Sequence, residues 1–165
     1  MTMTFDPDPA VALCARASPG GVRLGFDLVQ VSQIAESICA FGSRFTDRFF
    51  TMGELQYSQR GSRDERLAAR FAAKEAVIKA LALSEAGIDW REIEVVQLPQ
   101  GGCELALHGR VAQLAAARGV TDRALSLSLS HDGDYAGAVV CALTVQAQEA
   151  RNTSDGFDHH EQPHP

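Results

Sequence analysis

The sequence predicts an α+β domain. Short segments that alternate apolar and polar residues are interleaved with helical ones, two strand pairs are joined by hairpin turns, and one helix is much longer than the rest. The chain contains neither a Gly-x-Gly-x-x-Gly stretch nor a Walker loop, so a doubly wound nucleotide fold is disfavoured.

In chain order, residues 1–21 are rich in Pro, Asp and Ala and read as a flexible lead-in. Residues 22–31 read as a strand: Val22, Leu24, Phe26 and Leu28 alternate with Arg23, Gly25 and Asp27, which sets Asp27 on the side away from the apolar face. Ser32 is placed to cap a helix through Ile34, Ile38 and Phe41, and Gly42 to stop it. A short helix follows over 44–50. Thr51 with Glu54 then forms a capping-box pattern, and residues 59–62 make a loop.

The long helix is expected from about 63 to 83, because Ala, Leu, Lys and Glu are strong formers and neither Gly nor Pro interrupts it. Ser62 with Glu65 supplies a second capping-box pattern at its start. Both lysines of the chain, Lys74 and Lys79, lie in this helix, while every other strong base is an arginine. That usage suggests a need for compact, mobile ammonium groups here. Glu75 and Lys79 stand one turn apart beside Phe71 and Ile78; an ordinary surface pair worth a few tenths of a kcal/mol is the alternative reading.

Beyond it, residues 92–98 and 103–108 read as strands joined by Pro99-Gln-Gly-Gly102, and 109–118 as a small helix ended by Gly119. Residues 124–131 alternate strictly, with Leu125, Leu127 and Leu129 opposite Ser126, Ser128 and Ser130. A turn at 131–134 leads into 135–145, dense enough in small and branched residues for a strand buried on both sides. The domain therefore spans 22–145, and 146–165 is a disordered polar tail whose His159, His160 and His164 are incidental rather than metal ligands. No internal repeat is evident.

Composition narrows the function. The 165 residues suit one domain with a core, and no stretch approaches a membrane span. The acidic, proline-broken N-terminus does not resemble a secretory signal, which makes the cytoplasm the expected compartment. Cys14, Cys39, Cys103 and Cys141 are scattered without a Cys-x-x-Cys pair, arguing for reduced thiols rather than a zinc site. The net charge of -6 is uneven: residues 41–80 hold eight bases against five acids, so this middle is basic within an acidic protein. That suits an anionic ligand or an acidic partner and argues against general nucleic-acid binding, unless these arginines are simply a solvated face.

Four pieces then line up in order: Gly25-Phe-Asp27; Arg48-Phe-Phe-Thr51 with Glu54; Arg70-Phe-Ala-Ala-Lys-Glu-Ala76 with Lys79-Ala80; and Ser128-Leu-Ser-His131 with Asp132. Together they resemble the holo-[acyl-carrier-protein] synthase family of the 4′-phosphopantetheinyl transferase superfamily, of which the chain is identified as a divergent member. The resemblance implies that superfamily's fold, a small, largely antiparallel sheet packed on a long central helix. It implies transfer of the 4′-phosphopantetheine group from coenzyme A to a serine of an apo acyl or peptidyl carrier protein, with Mg2+ as cofactor and 3′,5′-ADP as product.

By the same resemblance Asp27 and Glu75 are the metal ligands, and Glu75, Lys79, His131 and Asp132 the catalytic set. Arg70, Lys79, His131 and Arg48 bind coenzyme A. These types suit the chemistry: magnesium takes one or two carboxylates with phosphate oxygens and waters, and lysine is a mobile point charge for phosphate. Glu75 as the serine's base is a weaker assignment, since a metal-bound carboxylate is a poorer base. A turn acid at Asp27, a surface arginine at Arg70 and a plain turn at His131 and Asp132 are the rival readings. A homotrimer is implied as well, with Arg44 or Arg48 of a neighbour meeting Asp27 and Glu75.

The chain departs from the family at Gln30 and Gln33, where an acid and an arginine are usual, at Ala82-Leu83-Ser84 in place of Gly-Thr-Gly, and at Gly101-Gly102-Cys103 in place of Gly-Lys-Pro. A non-catalytic homologue that binds a carrier protein or nucleotide, and a small Mg-dependent nucleotide diphosphate hydrolase, are the competing functions.

Overall fold

A computed structural model of the chain describes residues 21–144. The lead-in, Cys14, residue 145 and the tail with its histidines lie outside the described residues. Strand β1 (Val22–Gln30) is followed by helices α1 (Val31–Phe41), α2 (Ser43–Phe49), α3 (Met52–Ser58) and the long α4 (Arg63–Ala80). The hairpin β2 (Ile93–Gln97) and β3 (Cys103–Leu107), helix α5 (Gly109–Ala116), and the hairpin β4 (Leu125–Asp132) and β5 (Tyr135–Leu143) complete the chain. The strands form two antiparallel sheets, β1-β5-β4 and β2-β3.

Helix α4 is the axis of the fold, with Leu67, Ala68, Ala72, Ala73, Ala76, Val77 and Ala80 inaccessible to solvent. Its alanines let the backbone of β1 come very close, since a Cβ added at Gly25 would lie 1.9 Å from the Ala76 carbonyl oxygen. One core cluster joins the lower half of α4 to β2, β3, α5 and β5. A second packs Ile34, Phe50, Leu67 and Ala136 around its upper half.

Expectation and structure part at several points, each for a physical reason. In β1 the alternation is real but its sense is inverted: Val22, Leu24, Phe26 and Leu28 are about half exposed, whereas Gly25 is buried and Arg23 and Asp27 are half-buried on the helix side. Close approach to α4 demanded the small residue, and the inner face went with it. Strand β5 buries Ala136, Ala138, Val140 and Ala142, while Val139 and Leu143 on its other face are exposed; within one chain it is not covered on both sides. His131 and Asp132 belong to β4, paired with Ala136 and Tyr135, and are not in the turn.

Helix ends differ too. Ser62 makes no side-chain capping bond, while the Thr51–Glu54 box forms in full. Ser32 is itself helical; Asp134 of the β4–β5 turn accepts hydrogen bonds from its amide at 2.9 Å and its hydroxyl at 2.7 Å. Helix α4 stops at Ala80, three residues early, because the Leu83 amide donates to the Ile78 carbonyl at 2.8 Å and the Ala82 amide to that of Lys79 at 3.1 Å. Such a motif requires a left-handed residue and usually has glycine there; here Ala82 takes it, with φ of 51°.

Candidate active site

The inner face of β1 presents Asp27 to helix α4. The Lys79 ammonium donates to Asp27 Oδ1 at 2.8 Å and to the Phe26 carbonyl at 3.2 Å. The expected neighbour along the helix, Glu75, is therefore not Lys79's ion-pair partner; the strand supplies it. Glu75 sits one turn back, half-buried. Its carboxyl is held above the usual carboxylate range, first by burial and next by the charge of Asp27, with Lys79 pulling the other way. The charge of Asp27 is felt at Glu75, and the Lys79 ammonium offsets it only in part.

A magnesium ion fits this donor set. No group of three or more His, Cys, Asp or Glu that could hold a metal exists among the described residues. Magnesium does not need one, because it binds through one or two carboxylates and takes its other ligands from phosphates and water.

Arg70 is not a surface arginine: it is 2% exposed. Its Nη1 donates to the Arg66 carbonyl at 3.1 Å, its guanidinium lies 4.5 Å from the centre of the Tyr57 ring, and Nε and Nη2 have no partner. Burial pushes its pKa down, with Cys103, Glu54 and Tyr57 opposing this and Arg66 adding to it. Arg70 is among the residues around a cavity of about 330 Å³, with Tyr57, Arg66, Ser130 and His131. Two orphaned donors there are worth satisfying, since an unmet buried donor costs roughly 1–3 kcal/mol, more when charged. An anion is the natural partner.

The remaining assignments scatter. Asp132 is exposed at the end of β4 and does not line the Arg70 cavity. Arg48 is exposed on α2 with its guanidinium 5.5 Å from the centre of the Phe49 ring, and lies outside that cavity as well. The chain thus brings Asp27, Glu75 and Lys79 together, and separately Arg70 with His131. A further cleft, bordered by Glu75 and Trp90, shares no residue with the Arg70 cavity.

Lys74 is the largest departure. It is fully buried, paired with Glu54 Oε2 at 2.9 Å, and donates to the carbonyls of Trp90 and Ile93. Glu54 also accepts from the amides of Thr51 at 2.8 Å and Val95 at 3.0 Å. One of the two lysines is therefore a fixed strut between α3, α4 and the β2 strand, not a mobile charge. Glu54 was visible in the sequence as a capping-box residue and as part of one piece of the family resemblance. Nothing there signalled its second partner.

Sequence and fold comparisons agree with one another. The family model described as the 4′-phosphopantetheinyl transferase superfamily matches residues 23–140. A holo-[acyl-carrier-protein] synthase of Koribacter versatilis is 43% identical over 118 residues, covering 70% of this chain and 93% of that protein. One from Methylobacterium sp. is 46% identical over 124 residues, covering 72% and 91%. Among solved structures, the Chronobacterium ammoniagenes ACPS-CoA complex superposes with a TM-score of 0.68 at 36% identity, over 76% of this chain and 99% of that one. The Helicobacter pylori holo-[acyl-carrier-protein] synthase in complex with coenzyme A gives 0.62 at 26% identity, over 71% and 96%.

Proposed function

The chain belongs to the 4′-phosphopantetheinyl transferase superfamily, and from that premise we propose how its residues divide the work of the reaction. As a holo-[acyl-carrier-protein] synthase, it transfers the 4′-phosphopantetheine group of coenzyme A to a serine of an apo acyl carrier protein. The serine oxygen forms a bond to the phosphorus that carries the pantetheine arm. The bond from that phosphorus to the bridging oxygen breaks, 3′,5′-ADP departs with the electron pair, and the serine proton is released.

The observation that carries the assignment is the corner where Lys79 meets Asp27 beside a half-buried Glu75. Asp27 and Glu75 are the residues that would hold magnesium, which when bound supplies Lewis-acid neutralisation of the diphosphate. Lys79, half exposed and tethered at its tip, is placed to exchange its bond to Asp27 for one to a phosphate oxygen. Arg70 takes the nucleotide's phosphate through its unmet Nε and Nη2, and His131 at the mouth of the same cavity contacts the nucleotide. Arg48 and Asp132 complete the set only from another copy of the chain or in the presence of ligand.

A homotrimer is part of this reading. Phe26, Leu28, Val22 and Leu143 leave more than half of their surface open on one sheet face, which is large for a lone domain. The cleft beside Glu75 and the Arg70 cavity have no lining residue in common, and apposed copies offer a way to unite the two groups. A cytoplasmic reaction is part of the same reading. No helix among the described residues is long and apolar enough to cross a membrane.

The test is direct. Protein, coenzyme A, Mg2+ and an apo acyl carrier protein are incubated and the carrier's intact mass recorded. A gain of one phosphopantetheine supports the reading; 3′,5′-ADP with unmodified carrier indicates a hydrolase, and stable co-elution without either a binding homologue.

A further inference from the structure

Arg66 and Arg70 stand one turn apart on α4, and like charges at that spacing repel. Neither forms an ion pair among the described residues. What faces both of them is one aromatic ring. The Tyr57 ring has the Arg66 guanidinium 4.7 Å and the Arg70 guanidinium 4.5 Å from its centre. Arg66 Nη1 also donates to the Tyr57 carbonyl at 3.1 Å, and Arg70 Nη1 donates to the Arg66 carbonyl at 3.1 Å. The three residues therefore close a circuit of contacts between the end of α3 and the first half of α4.

Tyr57 is anchored independently of the two arginines. It follows Glu54 by about one turn of α3, and Glu54 is held by the Thr51 box, the buried Lys74 and the Val95 amide. A π face attracts a guanidinium more strongly where water is excluded, as it is at Arg70, which is 2% exposed. Arg70 also keeps Nε and Nη2 without a partner, and it lies with Tyr57 and Arg66 around the same cavity. A guanidinium already ordered binds an anion more tightly than one that must be ordered when the anion arrives. We propose that Tyr57 is a positioning residue: its ring holds the Arg70 guanidinium in the orientation that receives the nucleotide's phosphate. Arg66 steadies the ring through the Tyr57 carbonyl. This rests on the transferase reading above, in which Arg70 is the phosphate ligand.

The experiment replaces Tyr57 by Phe, by phenylalanines bearing one, two and three ring fluorines, and by Leu. Each added fluorine drains charge from the π face and leaves a ring of nearly the same shape. Calorimetry gives Kd for 3′,5′-ADP, urea unfolding gives stability, and intact carrier mass with Mg2+ present gives kcat and KM for coenzyme A. Tyr57→Phe should keep the wild-type Kd, because the ring and not the hydroxyl holds Arg70. Kd and KM should then climb with each fluorine, to about three- to tenfold at three, the scale of ordering one long side chain, while kcat holds. Tyr57→Leu should lie at or beyond the end of that series, and the fluorinated rings decide the matter even where the leucine variant does not fold. Stability that falls along the series while Kd stays at the wild-type value would mean that the ring only packs α3 on α4. That result would overturn the inference and leave the transferase reading standing, as would a Kd that jumps at Tyr57→Phe and ignores the fluorines. A wild-type protein that neither binds 3′,5′-ADP nor modifies the carrier would overturn both.

Discussion

Lys74→Met removes the ammonium from an ion pair in which both side chains are wholly inaccessible to solvent. Left behind are the Glu54 carboxylate, still gripped by the Thr51 and Val95 amides, and the carbonyls of Trp90 and Ile93 without their common donor. Breaking a buried pair by deleting one partner costs roughly 3–5 kcal/mol. Each carbonyl deprived of its bond adds about 1 kcal/mol. The sum rivals the total stability of an ordinary domain, about 5–15 kcal/mol. Urea unfolding followed by circular dichroism should show a midpoint lowered by about 2 M or more, given slopes of about 1–3 kcal/mol per M, or no cooperative transition at all. The double variant Glu54→Gln with Lys74→Met removes both charges and should be less destabilised than the single one. A single variant within about 1 kcal/mol of wild type would refute the strut and return Lys74 to the role of a mobile ammonium.

Other perturbations follow from the same contacts. Gly25→Ala drives a Cβ to 1.9 Å from the Ala76 carbonyl oxygen, backbone against backbone, and should cost more than about 3 kcal/mol in the same urea assay. Ala82→Gly relieves the left-handed strain at the end of α4 and should stabilise by about 0.5–1 kcal/mol, a calorimetric rise of a few degrees. Glu75, raised by burial and by Asp27, binds a proton in the folded state over a pH window just above the ordinary carboxylate range, where the unfolded chain has already released it. Unfolding there leaves fewer protons bound, so the metal-free protein should lose stability as pH rises through that window, and Glu75→Gln should flatten the decline. Phe26→Asp on the exposed face should shift sedimentation from trimer to monomer; a trimer that persists would refute the assembly proposed for that face.

Much of the fold could be read from local pattern because local pattern caused it. The Thr51–Glu54 box, the alternating leucines and serines of β4 and the hairpin turn before Cys103 each rest on neighbours in sequence. What failed to show was decided by tertiary contact. The hydrophobic run of β1 faces outward because Gly25 had to face α4, a choice made by the backbone of Ala76 fifty residues away. Asp27 and Lys79 were both singled out in the sequence, yet their pairing depends on the approach of strand to helix, and Lys74 looked like Lys79 until Glu54 was found opposite it. Arg70 was expected as a phosphate ligand on resemblance alone, and its burial against Tyr57 was not legible at all.

The central claim is that Asp27 and Glu75 hold one divalent ion while Lys79 serves phosphate charge. Its most direct test is the Mg2+ dependence of carrier modification in Asp27→Asn, Glu75→Gln and Lys79→Ala. The two carboxylate variants should need at least about tenfold more Mg2+ for half-maximal rate, whereas Lys79→Ala should keep the wild-type requirement and lose roughly a hundredfold in rate. Wild-type rates and wild-type Mg2+ requirements in both carboxylate variants would contradict it.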